Sequence, residues 1–265
     1  MAKNEVAVQD EADAFELAAE MRDMVMEDAG RGSENVGAND IAIPYIGIIQ
    51  KMSPEVDEAS PDYLPMAKAG MIFQNVNKIL WARDEGLLVV PCAYDRKIIE
   101  WIPREAGGGL VAIHELNTPL MQEAKPNDKK VPTLPNGHNL IDTSTHFVMY
   151  QNPLLGWEPA IISMKSTAQK KSRLWNSLIA QQLIPGTDRP APRWLFTWKM
   201  TTVIETKDAN NWYNWEIERY GLVDKVLYSR AKALNEQFKS GSLSADAAAS
   251  AAAAQAKSVD DEIPF

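Results

Sequence analysis

The sequence predicts a mainly β protein with flanking helices, of the α+β class, followed by a disordered C-terminal tail. Apolar and aromatic runs separated by turn residues occupy much of residues 41–240, which is typical of strands. Two segments in the second half of the chain place apolar residues at helical spacing. Beyond residue 240 the chain is rich in Ala and Ser and shows no core-forming pattern.

The first 40 residues are predicted to form an acidic arm that precedes the domain. They contain 11 acidic and 3 basic side chains. A short helical pattern runs from Ala12 to Met26, and the Gly30–Ser33 stretch ends it. A single domain is expected from residue 41 to residue 240, where a linker over residues 241–257 begins.

The first half of the domain predicts a hairpin and a long loop. Ala69–Trp81 and Leu87–Trp101 flank Arg83–Gly86, a tight-turn signal that ends in Gly. Pro91 indicates an edge position or a bulge, because proline cannot donate a ladder hydrogen bond. Gly107–Gly109 is expected to be a flexible hairpin tip. Residues 117–140 contain four prolines and an Asp-Lys-Lys cluster, which favours a loop.

The second half predicts four strands and two helices. The strands are expected at Thr145–Gln151, Glu158–Ser166, Trp194–Thr206 and Asn211–Tyr220, and the helices at Ala168–Leu183 and Leu222–Phe238. With the first hairpin, this order is compatible with an OB-fold, a five-stranded Greek-key barrel with a helix before its fourth strand. The same order also fits other α+β domains.

The charge is distributed unevenly along the chain. The net charge is −9, but the first 40 residues carry −8 and residues 258–265 carry −3, so residues 41–257 are slightly basic. Residues 151–240 hold 13 basic and 8 acidic side chains. A basic second half between two acidic ends favours a polyanionic ligand.

Several classes of protein are not supported by the sequence. No apolar run is long enough to span a membrane, and the N-terminus lacks the apolar core of a signal peptide, so a cytoplasmic location is expected. Cys92 is the single cysteine. His114, His138 and His146 lack metal-ligand spacing, and no Walker A, G-x-S-x-G or H-E-x-x-H motif occurs. We therefore expect no metal, no cofactor and no enzymatic activity.

The last six residues, Asp260-Asp261-Glu262-Ile263-Pro264-Phe265, form an acidic cluster with a hydrophobic end. Phe265 carries both an aromatic ring and the terminal carboxylate, so a partner can bury the ring and pair a basic residue with the carboxylate. This tip after an Ala-rich linker resembles the tail of phage and bacterial single-stranded DNA-binding proteins. The resemblance covers the tip and the linker character, and no motif of the domain extends it.

The resemblance implies a protein that coats exposed single strands in DNA replication, recombination and repair, in the host cytoplasm if it is phage-encoded. It also implies that residues 258–265 recruit replication, recombination or repair enzymes. A homo-oligomer is possible in such a family. Two alternatives stay open: a single-strand annealing recombination protein, and an adaptor of the replication machinery that does not bind DNA.

Single-strand binding without sequence choice requires cations along the phosphates and aromatic faces for the bases. The basic run near the start of the predicted helix and the aromatic-rich strand after it are the main candidates, although such aromatics are often core. The candidate DNA contacts are Tyr94, Arg96, Lys97, Trp101, Arg104, Lys165, Lys170, Lys171, Arg173, Trp175, Arg193, Trp198, Lys199 and Trp212.

Overall fold

The computed structural model describes residues 19–28, 31–32, 43–208 and 210–241, without the side chains of residues 19, 20 and 104. The chain divides into two units, residues 1–41 and 42–265. The described part of the first unit contains helix α1 (Ala19–Glu27), which overlaps the segment Ala12–Met26 predicted to be helical. The predicted linker beyond Gly241 and the acidic tip lie outside the described residues.

A small antiparallel sheet opens the second unit. It consists of β1 (Ile46–Ile48), β2 (Ile72–Gln74) and β3 (Ile79–Trp81), in the order β1-β2-β3. β2 and β3 form a short hairpin, and Lys78 in its turn has a positive φ of 57°. A parallel bridge between Tyr45 and Ile161 joins this sheet to the larger one.

The larger sheet has eight strands with antiparallel pairing. The strands are β4 (Leu87–Ile102), β5 (Gly109–His114), β6 (Lys125–Pro126), β7 (Pro132–Thr133), β8 (Asn139–Asn152), β9 (Gly156–Lys165), β10 (Phe196–Lys207) and β11 (Asn210–Leu222). Their order is β11-β10-β4-β8-β7-β6, with β5 on β4 and β9 on β8. The long strands β4 and β8 therefore form the centre of the sheet.

Within residues 43–208 and 210–241, this unit contains three helices: α2 (Leu120–Glu123), α3 (Gln169–Ala180) and α4 (Lys225–Lys239). Helix α3 continues from a short 3-10 turn at Ser166–Ala168. Helix α4 begins after Asp224, whose carboxylate accepts a hydrogen bond of 2.8 Å from the Leu227 amide. This is a standard N-cap, which satisfies a free amide of the first turn.

The two faces of the central strands are both buried. On one face Trp175, Trp198 and Ile162 pack with residues of the small sheet. On the other face Phe147 and Ile161 pack with residues of α4. Because strand side chains alternate between faces, burial on both sides explains the nearly continuous apolar run at the start of β4.

The mainly β, α+β class is confirmed, but the sheets are not closed into the predicted barrel. Near the small sheet, the side chain of Gln50 bridges to β11 in place of a strand ladder. It accepts a hydrogen bond of 3.0 Å from the Tyr213 amide and donates one of 2.9 Å to the Tyr213 carbonyl.

Several local predictions are corrected by the pairing. The hairpin around Arg83–Gly86 is wrong, because β3 pairs with β2 and β4 pairs with β8 and β10. The hairpin tip predicted at Gly107–Gly109 is confirmed, since Gly107 and Gly108 lie in the connection between the paired strands β4 and β5 and Gly109 begins β5. The long loop over residues 117–140 contains α2, β6 and β7. The bulge indicated by Pro91 is confirmed, since the register shifts between Pro91 and Ala93.

Candidate nucleic-acid interface

Arg193 lies in the segment between α3 and β10, half-buried against the sheet. Its guanidinium donates hydrogen bonds to Asn176 Oδ1 (2.8 Å) and to His146 Nδ1 (3.0 Å). It also lies over the Tyr94 ring, 5.6 Å from the centroid. Its buried Nε has no hydrogen-bond partner, and burial lowers the pKa of Arg193 to about 10. The group is still charged at neutral pH.

No carboxylate within the described ranges forms an ion pair with Arg193. Burying a cation without a counter-ion is costly, because the charge loses water without gaining an opposite charge. The partners that Arg193 does have are an amide, an imidazole and an aromatic ring. The arrangement therefore leaves this guanidinium able to pair with an anion from outside the protein.

His146 is fully buried and holds Arg193 in place through their hydrogen bond. Because Arg193 donates to Nδ1, the hydrogen of the imidazole lies on Nε2, which donates to Ser172 Oγ at 2.8 Å. Burial, with the charge of Arg193 adding to it, holds the pKa of His146 well below its usual range. The ring stacks on Trp175 at 4.6 Å between centroids, so this histidine is a rigid neutral support.

A chain of polar side chains continues from Tyr94 towards the start of α3. Tyr94 and Ser144 share a hydrogen bond of 2.9 Å between their hydroxyls, and Ser144 donates to Gln169 Oε1 at 2.7 Å. Gln169 Nε2 then donates to the backbone carbonyl and a carboxylate oxygen of Asp142. Arg96 donates to both carboxylate oxygens of Asp142, and this raises the pKa of Arg96. Asp142 thus offsets the charge of Arg96.

Helix α3 adds a third arginine to this face. Gln169, Ser172 and Asn176 contact the polar chain or Arg193. At 100° per residue, Arg173 lies about 40° from Gln169 and about 60° from Asn176 around the helix axis, so it lies at the edge of their face. Its side chain is exposed and no ion pair involves it in the part of the chain that the structure describes. We call Tyr94, Arg96, Arg173 and Arg193 the arginine face.

The predicted lysine contacts lie elsewhere. Lys170 and Lys171 pair with Glu205 at 2.8 and 3.3 Å, and Lys97 pairs with Glu115 at 2.6 Å. Lys165 is buried and lines a separate cleft, and Lys199 is half-buried on β10. Arg104 begins a 3-10 turn, but its side chain lies outside the described part. Of the predicted basic contacts whose side chains the structure describes, only Arg96, Arg173 and Arg193 come together on this face.

The predicted stacking role of four tryptophans needs correction. Trp101, Trp175, Trp198 and Trp212 are 5%, 0%, 1% and 4% exposed. Their ring faces are covered by core side chains, so they cannot stack on a base in this conformation. Trp198 lies on the same inner face of β10 as Phe196 and Met200, which explains its burial.

One aromatic ring that sequence reasoning passed over is exposed. Tyr220 is 64% exposed on β11, at the position where the register with β10 shifts. The same end of the sheet adjoins the Arg193 segment, because the Val223 amide donates to the Leu195 carbonyl at 3.1 Å. The polar stripe Asp142, Ser144 and His146 was also missed, although its alternation along one strand was a readable signal.

These features define an α+β, mainly β protein with a supported arginine face. Among the described residues, no cluster of His, Cys, Asp and Glu is arranged to hold a metal ion. None of the helices in the described ranges is long and apolar enough to cross a membrane. The chain belongs to the Pam3 phage gp34-like protein family, whose model matches residues 10–244. No curated protein and no solved structure matches the chain.

Proposed function

We propose that this phage-family protein binds single-stranded DNA, and that it coats exposed strands in phage DNA replication, recombination and repair in the host cytoplasm. It acts by binding alone, without catalysis or a cofactor. The observation that carries the proposal is Arg193, a half-buried guanidinium held in place by Tyr94, His146 and Asn176 without a carboxylate partner among the described residues. A phosphodiester supplies the missing negative charge.

The arginine face suits a backbone that carries many phosphates. Arg173 is exposed for a second contact, and Arg96 is held by Asp142 at a fixed position beside the same helix. Cations along a groove supply the salt-dependent part of single-strand affinity. Tyr220 replaces the buried tryptophans as the stacking residue of the proposal, because base stacking requires an uncovered ring.

Two further observations support the proposal. Along the chain, strands β4, β8 and β9, then α3, then β10 and β11 follow the element order of an OB-fold, a common scaffold for single-strand binding, although the sheet is not closed into its barrel. The acidic residues Asp260–Glu262, followed by Ile263-Pro264-Phe265, also suit a basic, apolar pocket on a partner enzyme. Recruitment through Asp260–Phe265 is the second half of the proposed function.

Replacing Arg193 tests the proposal. We expect Arg193→Gln to weaken binding of a labelled oligo-dT about tenfold or more at moderate salt, since charge-assisted hydrogen bonds contribute about 1.5–3 kcal/mol. The plot of log affinity against log salt becomes shallower by about 0.7 for each lost phosphate contact. Fluorescence anisotropy at several salt concentrations measures both quantities.

The matched control is Arg230→Gln. Arg230 is exposed on α4, the helix that packs on the opposite face of the sheet, and no ion pair involves it among the described residues. This variant is expected to keep the wild-type affinity and salt slope. Equal losses in the two variants would show general charge attraction and overturn the assignment of the arginine face.

A further inference from the structure

A second group of polar residues lines a cleft between β1, β9 and β11. The cleft has a cavity volume of about 40 Å³ and opens to solvent. Its walls include Ser163 and Lys165 of β9, Thr167 and Ala168 of the turn before α3, and Tyr213 of β11. None of the lining residues carries a carboxylate.

Two hydroxyls in the cleft have no partner within the described part of the chain. Ser163 is 6% exposed, and its buried Oγ makes no hydrogen bond. The buried Oγ1 of Thr167 also makes none. A buried polar group without a partner is unusual and costs stability, so each such group calls for a ligand or a water. These two hydroxyls line one cleft, and Thr167 follows Ser163 closely along the chain.

The same cleft receives the N-terminus of a helix. The 3-10 turn at Ser166–Ala168 runs directly into α3, and no side chain caps either start. The first amides of a helix lack intrahelical acceptors and carry partial positive charge, so they favour an anion. Lys165, which is 8% exposed, adds a cation to the same wall.

We infer that this cleft binds a phosphate group, through the hydroxyls of Ser163 and Thr167, the uncapped helix start and Lys165. The ligand is tetrahedral and anionic, because the cleft combines several donors with a cation and contains no lining carboxylate. A strand's internal phosphodiester, a terminal phosphate monoester and free phosphate share this chemistry. Binding of an internal phosphodiester or a terminal phosphate monoester rests on the proposed function, whereas binding of free phosphate does not.

The test begins with inorganic phosphate, which requires no DNA. The full chain, labelled with ¹⁵N, is titrated at constant ionic strength, and we expect saturable shifts of the Thr167 and Ala168 amides. Ser163→Ala is expected to weaken phosphate binding about 3- to 10-fold, as befits one lost hydrogen bond. Lys165→Gln is expected to weaken it about tenfold or more.

Ser177→Ala is the matched control, because Ser177 is an exposed serine farther along α3 that donates to the Arg173 carbonyl. Ser163→Ala is expected to leave the melting temperature unchanged or higher, since its hydroxyl has no partner to lose. Loss of stability in Ser163→Ala would show an internal structural role and overturn the inference. Absence of saturable shifts at Thr167 and Ala168, or equal weakening by Ser177→Ala, would also overturn it.

Oligo-dT with and without a 5′-phosphate then separates the sources. Tighter binding of the 5′-phosphorylated strand, abolished by Ser163→Ala, assigns the cleft to a strand end, and equal weakening of both strands assigns it to internal phosphates. Phosphate binding without any oligonucleotide binding supports the cleft and contradicts the proposed single-strand function. Oligonucleotide binding without saturable amide shifts on addition of phosphate supports the proposed single-strand function and contradicts the phosphate-binding cleft.

Discussion

Arg193 is held in place by contacts that local sequence patterns do not predict, although all four side chains of the arginine face were candidates from the sequence. Arg193 was predicted as a contact from its place beside an aromatic-rich strand, but its support by His146 and Asn176 joins residues distant in the chain. Trp175 and Trp198 were predicted to stack on bases because they neighbour lysines and arginines. The sequence shows which residues are neighbours along the chain. Which of their side chains are buried depends on the face of the sheet on which each one lies.

A buried carboxylate provides a residue-scale test of the structure. Glu100 accepts hydrogen bonds from His138 Nδ1 (2.6 Å) and His114 Nε2 (2.8 Å), at the base of the segment that carries β6 and β7. The bond from His138 is the largest cause that lowers the pKa of Glu100, and burial opposes it. The folded state therefore favours the ionised carboxylate.

Glu100 is expected to stabilise the fold at neutral pH and to lose this effect in acid. Its contribution is complete above the unfolded pKa of about 4.3 and is lost as the pH falls through the lower folded pKa. We expect Glu100→Gln to lower the free energy of unfolding at pH 7 by about 1–3 kcal/mol and to flatten its acid-side decline. Urea denaturation between pH 7 and pH 3 measures this. The exposed Glu105→Gln is the control, and identical pH profiles for all three proteins would contradict the expectation.

At the scale of elements, most helices and strands were predictable from local patterns. Helix α3, helix α4 and the β10–β11 hairpin lie within a few residues of the predicted positions. The β3–β4 pairing was wrong because a turn signal does not identify strand partners. The apolar start of β4 is buried on both faces and lies between β8 and β10, which only the assembled sheet reveals.

Gly86, at the end of the Arg83–Gly86 turn signal, lies close to the backbone of β10. It has a φ of +65°, and a Cβ at this position would overlap the carbonyl oxygen of Met200 on β10. Gly86→Ala is therefore expected to cost more than about 2 kcal/mol of stability, from a strained backbone and from displacement of β10. The glycine permits the close approach of β4 to β10.

Gly156→Ala is the control for Gly86. Gly156 also has a positive φ, +80°, but a Cβ added there would meet nothing within 4 Å. This variant is expected to show only the backbone cost, of about 1 kcal/mol. Thermal or urea denaturation compares the two. Equal losses of stability in Gly86→Ala and Gly156→Ala would show that overlap with Met200 adds nothing to the backbone cost.

At the scale of the whole molecule, charge is separated along the chain. The acidic tip is joined through an Ala-rich stretch to a domain whose second half is basic. Because a tethered segment has a high effective concentration near the surface it is joined to, we propose that the acidic tip competes with DNA phosphates for the basic surface. The family match supports a phage context, and the tip itself was evident only from the sequence.

Removal of residues 258–265 tests this competition. We expect the truncated protein to bind oligo-dT more tightly than the full chain at low salt, with the difference vanishing as salt screens the tip. Anisotropy titrations of both proteins at low and moderate salt measure it. Replacing the three acidic residues of the tip by Asn and Gln is the control and is expected to act like the truncation. Equal low-salt affinities of full-length and truncated protein would count against self-competition.

The central claim is that the domain binds single strands through phosphates, and one measurement tests it most directly. The full-length protein is titrated against labelled oligo-dT and against a duplex of equal length over a series of salt concentrations. We predict saturable binding that favours the single strand, with log affinity falling linearly as log salt rises. No anisotropy change with oligo-dT at low salt would contradict the claim.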